Sequence, residues 1–422
     1  MNDPSATADG GSTVELSVGR VAHGGHCVAR LDGRVVFVRH ALPGERVLAR
    51  LTESSPDARF WRADAVDVLE ASPDRVASRC PAAGPGGCGG CDWQHVDLAA
   101  QRRLKAAVVA EMLQRLAGLD VSAEDVHVEA VPGDQDGLAW RTRMRLAVGP
   151  DGRAGLRAHR SHTVVAIDDC PLAHPGLQMP DVLAQPWQTD RDVLVAGGDG
   201  QPPTVQAVRG RTLETSRGPS RRSEHAAGRR WRVSGAGFWQ VHPGVADALV
   251  DAVRQALAPQ PGESLLDLYS GVGLFAGSLA PVLGQSSQVV AVESDAGAVR
   301  DARRNLHDVP QVRLEQQRVD RYLRSPTAPD VVDLVVLDPP RSGAGSAVCA
   351  AIAQRQPRCV AYVACDPAAL ARDLRTFTGL GYGMTRLRAF DAFPMTHHVE
   401  CVATLQRDAT DGRMVVGSTT QA

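Results

Sequence analysis

Ser264-Leu265-Leu266-Asp267-Leu268-Tyr269-Ser270-Gly271-Val272-Gly273-Leu274-Phe275 is an apolar run that breaks into a tight glycine loop and resumes at helical spacing. The pattern predicts a buried strand, a turn that brings backbone amides close to a ligand, and a helix from Phe275 to Val282. Gln288-Val289-Val290-Ala291-Val292-Glu293 reads as a second strand, ending in an acid 22 residues after Gly271, where a carboxylate can grip the two hydroxyls of a ribose. The loop is Gly-x-Gly-x-x-x-Gly, not the Gly-x-Gly-x-x-Gly of dinucleotide enzymes, and no pyrophosphate subsite is evident. S-adenosylmethionine therefore suits it better than a nicotinamide cofactor. Asp320 follows a third apolar segment, where an adenine amino group could be read or where a surface acid could simply sit. From Leu249 to Gln406 strands alternate with helices, so the fold class is α/β, with a doubly wound, Rossmann-like parallel sheet.

The same region supplies a nucleophile. Cys365 follows Val360-Ala361-Tyr362-Val363-Ala364 and precedes Asp366-Pro367, so it ends a buried strand and faces whatever the sheet binds. Asp338-Pro339-Pro340-Arg341-Ser342-Gly343 closes the strand before it, and Phe393-Pro394-Met395-Thr396-His397-His398-Val399-Glu400 lies beyond. A nucleophile, a positioning loop and a candidate base together suit addition of a thiolate to C6 of a uracil ring. C5 then becomes carbanion-like, accepts a methyl group and loses its proton. Such a thiol needs surroundings that favour the thiolate, or a proton acceptor as it attacks. An adenine amino-methyltransferase also uses Asp-Pro-Pro, but usually with an aromatic residue next, where this chain has Arg341, and it needs no cysteine. A non-catalytic iron–sulfur or RNA-binding protein is the plainest alternative.

At 422 residues, 43% apolar and 22% charged, the chain can bury two or three domain cores. No stretch has the apolar length of a membrane span, and Met1-Asn2-Asp3-Pro4 lacks the regions of a signal peptide, which points to the cytoplasm and away from a membrane partner. No protein partner is implied, and a monomer is expected. A net charge of −2 leaves any RNA contact to local basic patches. Lys105 is the sole lysine among 46 basic residues, which reads as a nucleotide bias.

Nine cysteines without a secretion signal are not a disulfide framework. Cys80, Cys88 and Cys91 share the segment Cys80-Pro81-Ala82-Ala83-Gly84-Pro85-Gly86-Gly87-Cys88-Gly89-Gly90-Cys91, and Cys170-Pro171 offers a distant fourth thiolate. A cysteine followed by proline closes ferredoxin-type iron–sulfur sets. Structural zinc also takes four thiolates, and spacing does not separate the two. Cys27, Cys349, Cys359 and Cys401 fit small core residues.

The chain divides into a polar tail at 1–12, short alternating strands over 13–71 that suggest a small OB-like β-barrel, a central α+β domain over 72–232 bearing the four cysteines, the α/β domain over 233–406, and a second tail at 407–422. The spacing predicts an amphipathic helix over 94–117, ended by Gly118. Arg30, Arg34 and Arg39 with Phe37 offer a basic stacking face or a solvated strand edge. Trp140-Arg141-Thr142-Arg143-Met144-Arg145-Leu146 reads as a phosphate track or a solvated face. Residues 209–230, rich in Arg, Ser and Gly without periodicity, read as a surface loop or an insertion.

Cys365 with Tyr362 before it, the Asp-Pro-Pro-Arg-x-Gly loop, and Phe393-Pro394 leading to His398-Val399-Glu400 resemble the signatures of RNA uracil-5-methyltransferases. The resemblance covers nearly the whole chain: residues 13–71 resemble a TRAM domain, and the four cysteines resemble the family's [4Fe-4S] site. It implies S-adenosyl-L-methionine as methyl donor, Cys365 as nucleophile, Glu400 as the base for C5, and Gln240, Tyr269, Glu293, Asp320 and Asp338 as donor-binding residues. Cys80, Cys88, Cys91 and Cys170 would hold the cluster. The branch with a cluster and a TRAM domain implies RNA as partner, 23S rRNA in most members, with transfer RNA as the alternative.

Overall fold

The computed structural model describes residues 12–198 and 200–407 and the backbone of Val415–Val416. Apart from residues 12 and 407 and that backbone, the two tails lie outside the described residues.

Five strands, β1 (Thr13–Ser17), β2 (Cys27–Leu31), β3 (Arg34–Arg39), β4 (Arg46–Glu53) and β5 (Trp61–Glu70), pair in the order β1-β4-β5-β3-β2. Alternation turns Val36, Val38, Val47, Ala49 and Ala63 into a common interior, all buried, and the sheet curls around them as a small barrel. Helix α1 (Leu98–Met112) starts four residues later than the periodicity predicts, because the Asp97 carboxylate accepts the Ala99 and Ala100 amides and caps it there. A π turn, Leu113–Ala117, carries the helical path to Gly118.

After the short β6 (Val128–Glu129), a six-stranded antiparallel sheet of order β12-β11-β10-β7-β8-β9 forms from β7 (Arg143–Val148), β8 (Ala154–Arg157), β9 (Val164–Ala166), β10 (Asp192–Gly198), β11 (Gln201–Arg209) and β12 (Thr212–Arg217), with α2 (Met179–Leu183) between β9 and β10. The hairpin β13 (Arg221–Ala226) and β14 (Arg229–Ser234) follows. The loop reading of 209–230 is thus corrected. These strands escape the alternation test because β12 is exposed along nearly its whole length and β13 buries Arg222, leaving Ala226 as its one buried apolar residue.

The last sheet comprises β15 (Leu265–Leu268), β16 (Val289–Glu293), β17 (Val312–Gln316), β18 (Leu334–Leu337), β19 (Cys359–Ala364), β20 (Tyr382–Phe390) and β21 (Glu400–Arg407). Helices α3 (Val245–Leu257), α4 (Leu274–Leu283), α5 (Ala296–Asn305), α6 (Val319–Tyr322), α7 (Ser346–Ala353) and α8 (Pro367–Gly379) intervene. The order is β17-β16-β15-β18-β19-β21-β20, with β6 and β22 (Val415–Val416) added along β20. β15 to β19 run parallel, and β21 is antiparallel to both β19 and β20. Every residue of β15, β18 and β19 is buried, as expected of strands covered on both faces. Strand order reverses between β15 and β18, which opens a crevice beyond their carboxyl ends. One continuous apolar core runs from the barrel through α1 to one face of this sheet. Among the described residues no helix is long and apolar enough to cross a membrane.

Candidate active site

The crevice is a cleft of about 1310 Å³, and Gln240, Tyr269, Glu293, Asp320, Asp338, Cys365 and Glu400 all line it. Strand ends do the gathering. β19 and β21 pair antiparallel with Ala364 opposite Cys401, so one residue further Cys365 leaves its strand where Glu400 begins the other. Asp338 follows β18, which pairs in parallel with β19, Leu337 beside Tyr362. A thiol and two carboxyls thus stand at the end of three adjacent strands.

Their electrostatics resist charge. Burial, reinforced by Glu400 and Asp338 and opposed by Arg341, pushes the Cys365 thiol up to about 11. Burial raises Asp338 to about 7, and burial with the Asp338 charge raises Glu400 well above the usual carboxylate range. Surroundings that favour the thiolate are therefore absent in this arrangement, and the remaining aid is a proton acceptor during attack. His398 also lines the cleft. Burial, His397 and Arg341 hold it down to about 3, so its imidazole is neutral.

At the other end, Glu293 Oε2 accepts the Gly271 amide at 3.0 Å and Oε1 accepts the Asp295 amide at 2.7 Å. The carboxylate thereby fixes the glycine loop beside it. Gly273 has φ +91°, and a Cβ there would stand 2.7 Å from Leu306 Cδ1, so only glycine fits this turn. Tyr269 holds φ +64°, an uncommon conformation for a bulky residue and one concentrated at functional sites. Asp320 is held by Arg318 and Arg324, each at 3.0 Å.

Cys80, Cys88, Cys91 and Cys170 line a second, smaller cavity. The Gly90 amide donates to Cys88 Sγ at 3.3 Å, and Gln94 Nε2 lies 3.6 Å from Cys91 Sγ. Donors aimed at sulfur suit thiolate ligands. Burial and the neighbouring thiols raise Cys91 to about 12, so in this arrangement it is a neutral thiol. Among the described residues no three or more His, Cys, Asp or Glu side chains are set to hold a metal ion, so the four thiols line a common space without gripping a single point.

Several residues that shape the cleft escaped the sequence reading. Lys105, fully buried, reaches from α1 to Asp391 Oδ1 at 2.5 Å and to the Phe393 carbonyl at 3.1 Å, and Gln101 Oε1 accepts the Met395 amide at 2.7 Å. The lone lysine is thus a support for the loop leading to Glu400. Its place on the buried stripe of an amphipathic helix was the available signal. Asp92 Oδ2 lies 2.6 Å from His397 Nδ1, and the Asp92 and Trp93 amides both donate to the Met395 carbonyl at 3.0 Å. Asp373 accepts Tyr362 Oη at 2.6 Å and the Ala344 amide at 2.7 Å, bracing the Asp-Pro-Pro loop against α8. From the barrel, His23 Nε2 approaches Asp366 Oδ2 at 3.0 Å, next to Cys365.

Two basic patches differ from their expected form. Arg39 is nearly enclosed, 4.0 Å from both Asp64 and Asp92, while Phe37 packs edge-on against Phe60 and His26 and Arg34 lies over Trp61. Arg143 is an internal tie, paired with Glu224 at 2.8 Å and donating to the Gly237 carbonyl at 2.9 Å. It steadies the loop that carries Gln240. Arg145 pairs with Asp192, and Arg141 lines both the cleft and the cysteine cavity. The three do not form one free track.

A family model described as tRNA (Uracil-5-)-methyltransferase matches residues 225–408, and a TRAM domain model matches residues 9–66. An RNA methyltransferase of Streptomyces avermitilis is 49% identical, covering 94% of this chain and 98% of that protein. The 23S rRNA (uracil(1939)-C(5))-methyltransferase RlmD of Chromohalobacter salexigens is 33% identical, covering 97% of this chain and 91% of the relative. A similar fold occurs in the Pyrococcus abyssi tRNA (uracil-54, C5)-methyltransferase solved with S-adenosyl-L-homocysteine, with a TM-score of 0.69 and 23% identity over 92% of this chain and 99% of that one. The chain therefore belongs to the RNA (uracil-5-)methyltransferase family, enzymes that use S-adenosylmethionine to methylate uracil in RNA, and it carries a TRAM domain.

Proposed function

We propose that the chain forms 5-methyluridine in 23S rRNA through a covalent bond between Cys365 and C6 of the target uracil. The observation that supports this is the meeting of Cys365, Glu400 and Asp338 at adjacent strand ends, in the same cleft as Gln240, Tyr269, Glu293 and Asp320. The methyl donor supplies an electrophilic methyl group and a positive sulfonium charge. Glu293 takes the ribose hydroxyls, Asp320 the adenine amino group, and Gln240 and Tyr269 line the space between. A cation in the cleft favours the charged forms of the acids around it, so donor binding and readiness of the site are coupled.

Cys365 Sγ gives up its proton to solvent water as it bonds to C6, and the electron pair of the C5–C6 double bond moves to C5. C5 takes the methyl group as the methyl–sulfur bond of the donor breaks, and the donor departs as neutral S-adenosylhomocysteine. Glu400 then removes the C5 proton, the double bond re-forms and the sulfur leaves. The target base must first quit its stack, at a cost of roughly a few kcal/mol that RNA contacts offset. Cys80, Cys88, Cys91 and Cys170 would hold a [4Fe-4S] cluster with no redox part in this scheme. Cytoplasmic RNA is the substrate in this reading, and the relative named for 23S rRNA, matched over most of its length, supports ribosomal over transfer RNA.

RNA carrying 5-fluorouridine tests the chemistry, since fluorine at C5 blocks the final elimination. A denaturation-resistant protein–RNA adduct is expected, and its absence would favour a mechanism without Cys365. Mapping 5-methyluridine by mass spectrometry in ribosomal and transfer RNA of a deletion strain identifies the target. Loss from transfer RNA alone would reject the ribosomal assignment.

A further inference from the structure

The β13–β14 hairpin has two unlike faces. Its register sets Ser223 opposite Arg232 and His225 opposite Arg230, and the outward positions are Arg221, His225, Arg230 and Arg232, all exposed. The inner face is bolted down. Trp231 is fully buried, and its Nε1 donates to the Ala226 carbonyl at 3.0 Å. Asn305 of α5 accepts the Arg232 amide at 2.8 Å and donates to the Arg232 carbonyl at 3.1 Å, while Asp301 accepts the Ser234 amide at 2.7 Å. The outer side chains are therefore not needed to hold the hairpin.

Beside it, α5 exposes Arg300 and Arg303. Arg221 shares Asp301 at 3.6 Å, but among the described residues Arg230, Arg232, Arg300 and Arg303 have no carboxylate within 4.0 Å, unlike most arginines of this chain. The chain then passes from Ser234 straight into the cleft wall: Ala236, Gly237 and Gln240 line the cleft, and Phe238 beside them is 71% exposed. Unpaired guanidinium groups on a rigid ribbon, ending at an exposed aromatic ring on the lip of the cleft, make a surface complementary to a polyanion with bases to stack.

We infer that this ribbon and α5 bind the phosphates of the RNA strand flanking the target uridine. This rests on the RNA-methylating function proposed above. A net charge of −2 gives no general attraction for RNA, so a local patch of this kind has to supply it.

The test uses full-length protein and two single-stranded RNAs with one central 5-fluorouridine, one of about 20 nucleotides and one of about 5, the span of roughly one binding groove. In Arg230→Ala/Arg232→Ala, the plot of log affinity against log salt for the longer RNA should become shallower by about 0.7 for each phosphate that the ribbon no longer neutralises. Binding of the short RNA and of S-adenosylmethionine should be unchanged. Arg230→Lys/Arg232→Lys should keep the wild-type slope. An unchanged slope in the alanine variant overturns the proposal and leaves the ribbon to an acidic protein surface; so does a lysine variant as impaired as the alanine one. Failure of wild-type protein to form the fluorouridine adduct would instead reject the covalent mechanism, while the salt slopes still judge the ribbon.

Discussion

Cys365 and three cysteines of the second cavity, Cys88, Cys91 and Cys170, are alike in one respect: burial makes ionisation costly in both places. They differ in their neighbours. Around Cys365 stand carboxyl groups on rigid strand ends, which oppose a thiolate and leave the thiol protonated. Around Cys88 and Cys91 stand an amide N–H and a side-chain amide, on an irregular glycine-rich segment that can wrap a centre. A thiol's role is set by what it faces more than by how deeply it is buried.

The sharpest way to break this contrast is Cys365→Ala. It should abolish the fluorouridine adduct and methylation, with S-adenosylmethionine binding retained because Glu293 and Asp338 are untouched. An adduct that persists would move the nucleophile elsewhere. Glu400→Gln should slow turnover by ~10²–10⁴-fold, the usual cost of losing a positioned base, and a methylated covalent RNA intermediate should accumulate on denaturing gels. On the other side of the comparison, anaerobically purified protein should be brown with about four irons per chain. Cys170→Ser should lose most of that iron, whereas one tightly held zinc in colourless protein would reject the cluster.

A gentler measurement is alkylation of Cys365 by iodoacetamide in the free protein, with Cys365→Ala as the background. A thiol raised to about 11 is mostly protonated at neutral pH, so the rate should climb about tenfold per unit from pH 7 to pH 9. A plateau near pH 7 would show that the site favours the thiolate after all. The smallest effect is expected at Asp92, which follows Cys91 and touches His397. Asp92→Asn should lower kcat with iron content and S-adenosylmethionine affinity unchanged. If iron falls too, Asp92 serves the cysteine segment first.

The sheet and its strand-end groups were legible because a parallel sheet buried on both faces writes itself as apolar runs, and three of the candidate residues sit at the end of one or directly after it. Cys365, Asp338 and Glu293 could be placed that way. Gln240 and Glu400 came from resemblance, since no local pattern marks them. The supports were invisible: Lys105–Asp391 and Asp92–His397 join residues 286 and 305 apart, and spacing carries no trace of such pairs. The β13–β14 hairpin was missed for another reason, because β13 turns Arg222 inward where alternation expects an apolar residue, so only Ala226 marks its buried face.

The barrel's seat against the far end of the chain also bears on how the protein is made. A Cβ at Gly25, whose φ is +79°, would lie 2.8 Å from His397 Cβ, Trp93 Nε1 donates to the Gly25 carbonyl at 3.1 Å, and His23 waits for Asp366, 343 residues later. At about 5–20 residues per second, a ribosome needs roughly 20–70 s to deliver that partner. Throughout that interval the first-made segment has its own strands paired but one flank bare, and its final fit is a late event in synthesis, set by the arrival of the turn that carries Cys365.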